Sequence, residues 1–478
     1  MLLGFYLILL GCTVITQPPV SPQKIFMSVA LVIALGSLEK SIVTTPLPII
    51  GNELNAGQSL TWIVTAYLLA ATAVLPIYGK LSDILGRVRM LYIGISLFIL
   101  GSAACGFAKN IETLILSRVI QGIGGGGLIA LAFTVIADCI PAREVGKYQG
   151  YISIVYAVSS IAGPLLGGYF AEHLSWRWVF WINLPLGVLA VILIRKNLSH
   201  LNKKRQAKFD WFGALFLMLS STSLLLLLSP ESQIPHIWIG GTLAFSIVML
   251  LLIERKVSDP ILPARLTKLP GYVACILLIL CSQLLMFAVL VYLPMQMQWQ
   301  RGMTASESGE IMVIFMVSVT IGAYCGGKLV NKLGKYKGLT VTGFALSALS
   351  FAMIYGHIHP PIALGLAGLG IGLTLPALGV VVQNVLPAKD RGIGLSLFNF
   401  GRELGGAIGV AVCSAVFQYT LSTQGQSVKD NMADYPPYIL DQGFNAIYLM
   451  MAGMALFAVL LTLFTLKKQK LATEVTND

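Results

Sequence analysis

Residues 79–89 read Gly79-Lys80-Leu81-Ser82-Asp83-Ile84-Leu85-Gly86-Arg87-Val88-Arg89, and residues 327–337 read Gly327-Lys328-Leu329-Val330-Asn331-Lys332-Leu333-Gly334-Lys335-Tyr336-Lys337. Five positions are identical, and three more keep their chemistry: Asp83 against Asn331, Arg87 against Lys335 and Arg89 against Lys337. The two stretches are offset by 248 residues. A second match, Pro141-Ala142-Arg143-Glu144 against Pro387-Ala388-Lys389-Asp390, has an offset of 246 residues. Two independent matches at nearly one offset mean that the chain is built from two copies of one unit.

Each copy of the stretch joins two long apolar runs. A helix needs about 20 apolar residues to cross a bilayer core of roughly 30 Å. Runs of that kind predict fourteen spans, over 25–48, 61–79, 90–108, 112–137, 147–171, 178–195, 211–229, 236–253, 272–294, 307–327, 338–357, 361–383, 393–419 and 443–466. Charged residues make up 11% of the chain, against roughly 25% in a soluble protein. Lipid must therefore cover most of the surface, and the fold class is an all-α membrane protein.

The net charge of +12 would suggest nucleic acid in a soluble protein. Here the positions of the charges say otherwise. With alternate loops and both tails, the side that holds Lys80, Arg87 and Arg89 carries 25 of the 32 Lys and Arg. The other side carries Lys109, Arg177, Arg301 and Lys429, while Lys40, Arg118 and Arg402 lie inside helices. The positive-inside rule places the basic side and both termini in the cytoplasm, so a multi-pass protein of the plasma (inner) membrane is expected. The basic balance then reflects topology and an anionic lipid bilayer, with no nucleic acid as partner.

Both repeat copies face the same side, so the repeat is parallel, with an axis along the membrane normal. Six helices per half leave the two at 211–253 as a central insertion. The expected division is a segment 1–24, a six-helix bundle 25–200, the insertion with its loops 201–270, a second six-helix bundle 271–466, and a cytoplasmic tail 467–478. The apolar stretch 1–16 is short for a span and reads as an extra or interfacial helix. Two halves around a cavity suit a secondary transporter, not an enzyme. The five histidines, His173, His200, His236, His357 and His359, sit mainly in loops and form no HxxxxD or HExxH pattern. No GxxxxGK[ST] loop is present, so ATP is not the expected energy source. The seven cysteines include no CxxC pair, and Cys105, Cys275, Cys281, Cys325 and Cys413 fall in apolar runs, where Cys acts as a small hydrophobe. Neither a disulfide nor a metal site is expected.

Several motifs carry possible chemistry. In 79–89, Gly79 and Gly86 permit a tight turn, and Asp83 can pair with Arg87 or Arg89; the plainer reading is a basic topogenic loop with a helix cap. In Arg118-Val119-Ile120-Gln121-Gly122, an arginine inside a helix is costly and functional by default, unless it snorkels to the lipid surface. In Gly163-Pro164-Leu165-Leu166-Gly167-Gly168, Pro164 removes a backbone donor and kinks the helix, and the glycines admit a close neighbour; ordinary small-residue packing is the alternative. The aromatics of 176–187 suit an interfacial belt. Glu39 is a carboxyl group inside the first span, where burial disfavours the charged form, which makes it a candidate proton carrier. Its neighbour Lys40 opposes that, but adjacent helix residues point about 100° apart, so the two need not meet.

Together these motifs resemble the major facilitator superfamily, and within it the fourteen-helix drug:proton antiporter branch (the multidrug efflux type), over roughly residues 25–466. The resemblance implies two six-helix bundles with two extra central helices. It implies a gating role for Gly79, Asp83, Gly86, Arg87 and Arg89, and an antiporter signature in Gly163, Pro164, Gly167 and Gly168. It links Arg118 to proton coupling, alongside Glu39 and Glu403. The family usually has Asp where Glu39 stands, and commonly an uncharged Gln where Glu403 follows Arg402; Lys40 departs from its pattern. Glu403 reads as a second proton site, as a contact for cationic substrates, or as one half of a self-neutralising pair with Arg402. Trp62, Tyr67, Tyr156, Gln283, Phe398 and Arg402 are the candidate cavity residues. The implied function is proton-coupled export of small amphipathic molecules by alternating access. It would need no cofactor beyond the proton gradient, in a monomer that leaves room for an efflux-system partner. Proton-coupled import of a metabolite on the same fold is the alternative.

Overall fold

The computed structural model describes residues 21–139, 142–198, 210–229, 234–257, 263–333, 336–387, 390–423 and 435–466. The expected extra helix at 1–16 and the tail 467–478 lie outside the described residues, as does the side chain of Asp83. No strand occurs among the described residues. Among the described residues, fourteen helical spans are long and apolar enough to cross a membrane. Lipid offers the backbone no hydrogen bonds, so each apolar run satisfies its own amides by becoming helical.

The first half holds α1 (Pro22–Ile42), α2 (Leu47–Glu53), α3 (Trp62–Leu85), α4 (Arg87–Gly106), α5 (Ile111–Gly125), α6 (Leu128–Cys139), α7 (Ala142–His173), α8 (Trp178–Trp181) and α9 (Asn183–Leu198). The insertion is α10 (Trp211–Leu228) and α11 (His236–Glu254). A short α12 (Ala264–Thr267) leads to the second half: α13 (Tyr272–Arg301), α14 (Ala305–Leu333), α15 (Tyr336–Tyr355), α16 (Pro360–Val385), α17 (Arg391–Thr423) and α18 (Pro437–Thr465).

Three spans read as continuous are broken. The first helix stops at Ile42 and resumes at Leu47, because Pro46 and Pro48 remove two amide donors from the ladder. The fourth span yields at Gly126 and Gly127, between α5 and α6; a run of glycines brings little helix propensity to hold it straight. The sixth begins as the single turn α8 before α9.

The repeat is visible in the helix ends. α3 ends at Leu85 and α14 at Leu333, 248 residues later. The helices packed most extensively across the two halves are α3 with α17 and α7 with α14. The repeat maps α3 onto α14 and α7 onto α17, so it turns one of these contacts into the other. α10 and α11 pack on each other, and α10 also touches α3 and α17. There Ala214, Leu217 and Leu250 form a small core against Ile77 and Phe400. The outward residues of α11, among them Ile237, Trp238 and Phe245, are exposed, as a lipid-facing surface requires.

Hydrogen bonds join the halves at the end opposite the 79–89 loop. There Gln298 Nε2 donates to the Thr45 carbonyl at 2.7 Å, the Ser306 amide donates to Glu172 at 3.1 Å, and the Thr61 and Ser414 hydroxyls lie 3.3 Å apart. At the other end Gly79 and Arg89 are exposed.

Candidate functional site

Two ionic clusters lie inside the bundle. The first is contained in the N-terminal half. Arg118 on α5 donates through Nη1 to Glu39 on α1. Asn183, the first residue of α9, donates to the other Glu39 oxygen at 2.7 Å. Both members of the pair are 1% exposed. Arg118 also donates through Nε to the Ile63 carbonyl at 2.8 Å and through Nη1 to Gln121 at 2.5 Å. Gln121 and Asn183 converge on the Ser102 hydroxyl of α4, at 2.6 and 3.2 Å. The guanidinium lies 4.3 Å from the centre of the Tyr67 ring and 5.6 Å from that of Phe180. Five spans therefore hold one carboxylate and one arginine. Breaking such a pair by removing one partner costs about 3–5 kcal/mol, because it strands a buried charge.

The second cluster joins the halves. Lys40 on α1 donates to both oxygens of Glu403 on α17, at 2.6 and 2.7 Å. Their side chains keep 13% and 19% exposure. Each contacts the opposite half, so the pair bridges the two halves. Arg402 turns away from Glu403 and donates to the Tyr156 hydroxyl of α7 at 3.3 Å. Its Nε is buried without a hydrogen-bond partner among the described residues.

The glycines of 163–168 serve close approach. A Cβ on Gly163 would overlap the Ser41 hydroxyl, and one on Gly167 the Ile42 carbonyl. A Cβ on Gly168 would stand 2.5 Å from the Ala305 carbonyl of the other half. In the 79–89 loop, Gly86 has φ 96° and ψ 145°, a region that belongs almost entirely to glycine. Arg87 caps the end of α3 through the Ser82 hydroxyl and, at 3.4 Å, the Gly79 carbonyl.

Comparison with known proteins decides the family. Residues 29–410 match the Major Facilitator Superfamily, with a second match over 275–477. The chain belongs to the major facilitator superfamily. It is a transporter and not an enzyme. This facilitator is 34% identical over 429 residues to the multidrug transporter protein MdtP of Bacillus subtilis, covering 86% of this chain and 78% of that one. It is 30% identical to multidrug resistance protein 3 of the same organism, covering 84% and 80%. A bacterial homologue of the human lysosomal transporter Spinster shares its fold, with a TM-score of 0.66 at 14% identity, over 94% of this chain and 97% of that one.

Of the residues singled out in the facilitator's sequence, Glu39, Arg118 and Tyr67 meet in one cluster, and Tyr156, Arg402 and Glu403 gather in the other. Gln283 and Phe398 are buried, at 3% and 7% exposure, and Trp62 is half-buried. Of the readings left open for Glu403, a direct pair with Arg402 is not formed: Glu403 accepts from Lys40, and Arg402 donates to Tyr156. Trp176 does more than anchor at the lipid surface. It is 1% exposed and donates to Glu53 at 2.8 Å, while Trp178, at 44% exposure, fits a belt. Sequence reasoning missed Asn183 and Gln121 as partners of the buried pair. Their signals were present: Asn183 is a lone amide in an apolar run, and Gln121 follows Arg118 by three residues, on the same helix face.

Proposed function

We propose that the protein exports small amphipathic molecules in exchange for protons, by alternating access between the two halves. The observation that carries this reading is the buried Glu39, held between Arg118 and Asn183 at membrane depth. An ionisable group at that depth is a functional candidate by default. Adding a proton to Glu39 removes the charge that Arg118 neutralises, and so favours a different packing of α1 against α5. A local charge change that biases a two-state packing is a sufficient coupling device. The arrangement of the halves fits the cycle. Hydrogen bonds join them at the end that the charge bias places outside, which suits entry of substrate from the cytoplasmic end. The multidrug names of the two bacillar relatives support drug-like small molecules as substrates, and the name of a third relative, the MFS-type efflux pump LUC4 of a Fusarium species, supports outward transport.

The test is an efflux screen of lipophilic cations, antibiotics and organic anions in an efflux-deficient host, followed by orientation-defined proteoliposomes with an imposed pH gradient. Transport should collapse on adding a protonophore and should be lost in Glu39→Gln, with the variant protein still inserted. Gradient-independent transport would sink the reading, and net inward movement would replace it with import.

A further inference from the structure

The two clusters contain three cations, Lys40, Arg118 and Arg402, and two carboxylates, Glu39 and Glu403. Glu39 is engaged by Arg118, and both oxygens of Glu403 are engaged by Lys40. Arg402 makes no direct ion pair; it shares the field of Glu403 with Lys40, so the second cluster keeps one positive charge in excess. Among the described residues no carboxylate lies within ion-pair distance of it. The Tyr156 hydroxyl takes one of its donors, and its Nε is buried and orphaned. A guanidinium has five donors in a fork that matches a carboxylate. An arginine at membrane depth normally finds a counter-charge, because desolvating an unmatched cation is costly.

The surroundings are those of a binding site. Arg402 lies nine residues into the span Ile393–Thr423, about 14 Å from its start at 1.5 Å per residue. Its guanidinium is 5.9 Å from the centre of the Tyr156 ring, which belongs to the other half. Phe398, one helical turn earlier, adds an aromatic group on the same helix face. The Lys40 ammonium is next door, on the residue after Arg402, through Glu403. Apolar groups beside a cation that has no direct ion pair and an orphaned donor suit a molecule with an aromatic body and an anionic head.

We infer that the cleft between the halves takes amphipathic organic anions, bound through a carboxylate on Arg402, and that Glu403 is a counter-ion for Lys40 and not a contact for cationic substrates. The inference rests on reading this cleft as the transport path. It names the substrate class that the path prefers. Among the described residues, the charged groups facing the position are Lys40 and Glu403.

Equilibrium binding to the purified full-length chain in detergent tests the inference without any proton gradient. The probes are 1-naphthylacetate and (1-naphthylmethyl)trimethylammonium, which share a ring system and carry opposite charge. Hydrogen bonds to a charged group contribute about 1.5–3 kcal/mol, so the anion should bind about tenfold or more tighter than the cation. Arg402→Gln should remove that preference. Glu403→Gln should act in the opposite direction, freeing Lys40 and strengthening anion binding. Tighter binding of the cation by the wild-type chain would overturn the inference, and that comparison needs no variant to fold. Loss of cation binding in Glu403→Gln with no gain for the anion would overturn it too. Either result leaves proton-coupled export standing. Conversely, anion binding without gradient-driven transport would keep the site and remove the export reading.

Discussion

Lys40 and Glu403 lie 363 residues apart in the chain and meet at 2.6 Å, the first on the N-terminal half and the second on the C-terminal half. On the proposed alternating-access cycle, the pair is a latch between two halves that move relative to one another. It retains some exposure, so its strength is discounted by solvent, and about 1 kcal/mol of coupling is expected. Lys40→Met and Glu403→Gln should each slow cycling severalfold. The exchange Lys40→Glu/Glu403→Lys should recover part of the loss. A double-mutant cycle on transport rate measures this, and strictly additive effects would show that the two side chains do not cooperate.

The Glu39–Arg118 pair belongs to a different regime, because neither side chain keeps appreciable exposure. Glu39→Ala strands a buried guanidinium and should cost about 3–5 kcal/mol. Glu39→Gln keeps a hydrogen-bonding group of the same shape and should cost less, while still removing the titratable proton. Thermal unfolding in detergent separates the two variants. Pairing Glu39→Gln with Arg118→Gln should be less damaging than the sum of the single changes, since the double variant leaves no lone charge.

Much of this was legible in the sequence. The span count, the repeat and the central insertion all follow from long apolar runs and two short matches, because in lipid the hydrogen-bonding demand of the backbone leaves a run of apolar residues little choice. The helix breaks were less legible, since a bend at Pro46 or Gly126 depends on neighbours as well as on local propensity. The ion pairing was the least legible part. Arg402 and Glu403 are adjacent, and so are Glu39 and Lys40, yet neither adjacent pair bonds. Adjacent residues diverge around a helix, and partners arrive from helices that are distant in sequence. A census of charges inside spans gives an excess cation, but only the Lys40–Glu403 contact between α1 and α17 shows that Arg402 is the one without a direct ion pair.

Gly86 and Gly79 open and close α3's last turns with different demands on glycine. Gly86 needs its positive φ, so Gly86→Ala should cost about 1–3 kcal/mol and misdirect the start of α4. A Cβ at Gly79 meets nothing within 4 Å, so Gly79→Ala should leave the unfolding temperature within about 2 °C of the wild type. Loss of transport in Gly79→Ala at unchanged stability would then mark a need for close approach in another conformation of the cycle.

Gly168 lies where α7 meets the other half, with the Ala305 carbonyl 2.5 Å from where a Cβ would be. The atoms there, from Ala305 and Ser306, are backbone and cannot swing aside as a side-chain tip can. Gly168→Ala should therefore hold the halves apart at this end and bias the protein away from the state described here. Cysteine placed at Thr45, a buried position at the same end, reports this by its rate of maleimide labelling. Labelling should rise severalfold in Gly168→Ala and stay low with Gly168 intact.

Asn183 connects the buried carboxylate to the rest of the N-terminal half. Its amide nitrogen donates to Glu39 at 2.7 Å and to Ser102 at 3.2 Å. Ser102 in turn accepts from Gln121 at 2.6 Å, and Gln121 accepts from Arg118, so the hydrogen bonds close a ring around the ion pair. Asn183→Leu keeps the volume and removes the donor. A hydrogen bond to a charged group contributes about 1.5–3 kcal/mol, and that is the stability loss expected. Ser102→Ala leaves Glu39 its direct donors and should cost about 1 kcal/mol, the ordinary net value for a neutral pair. If Asn183 also sets the charge state of Glu39, Asn183→Leu will shift the pH at which gradient-driven transport is half-maximal, whereas Ser102→Ala will not. Equal shifts in both variants would assign the effect to the ring as a whole and not to the direct contact.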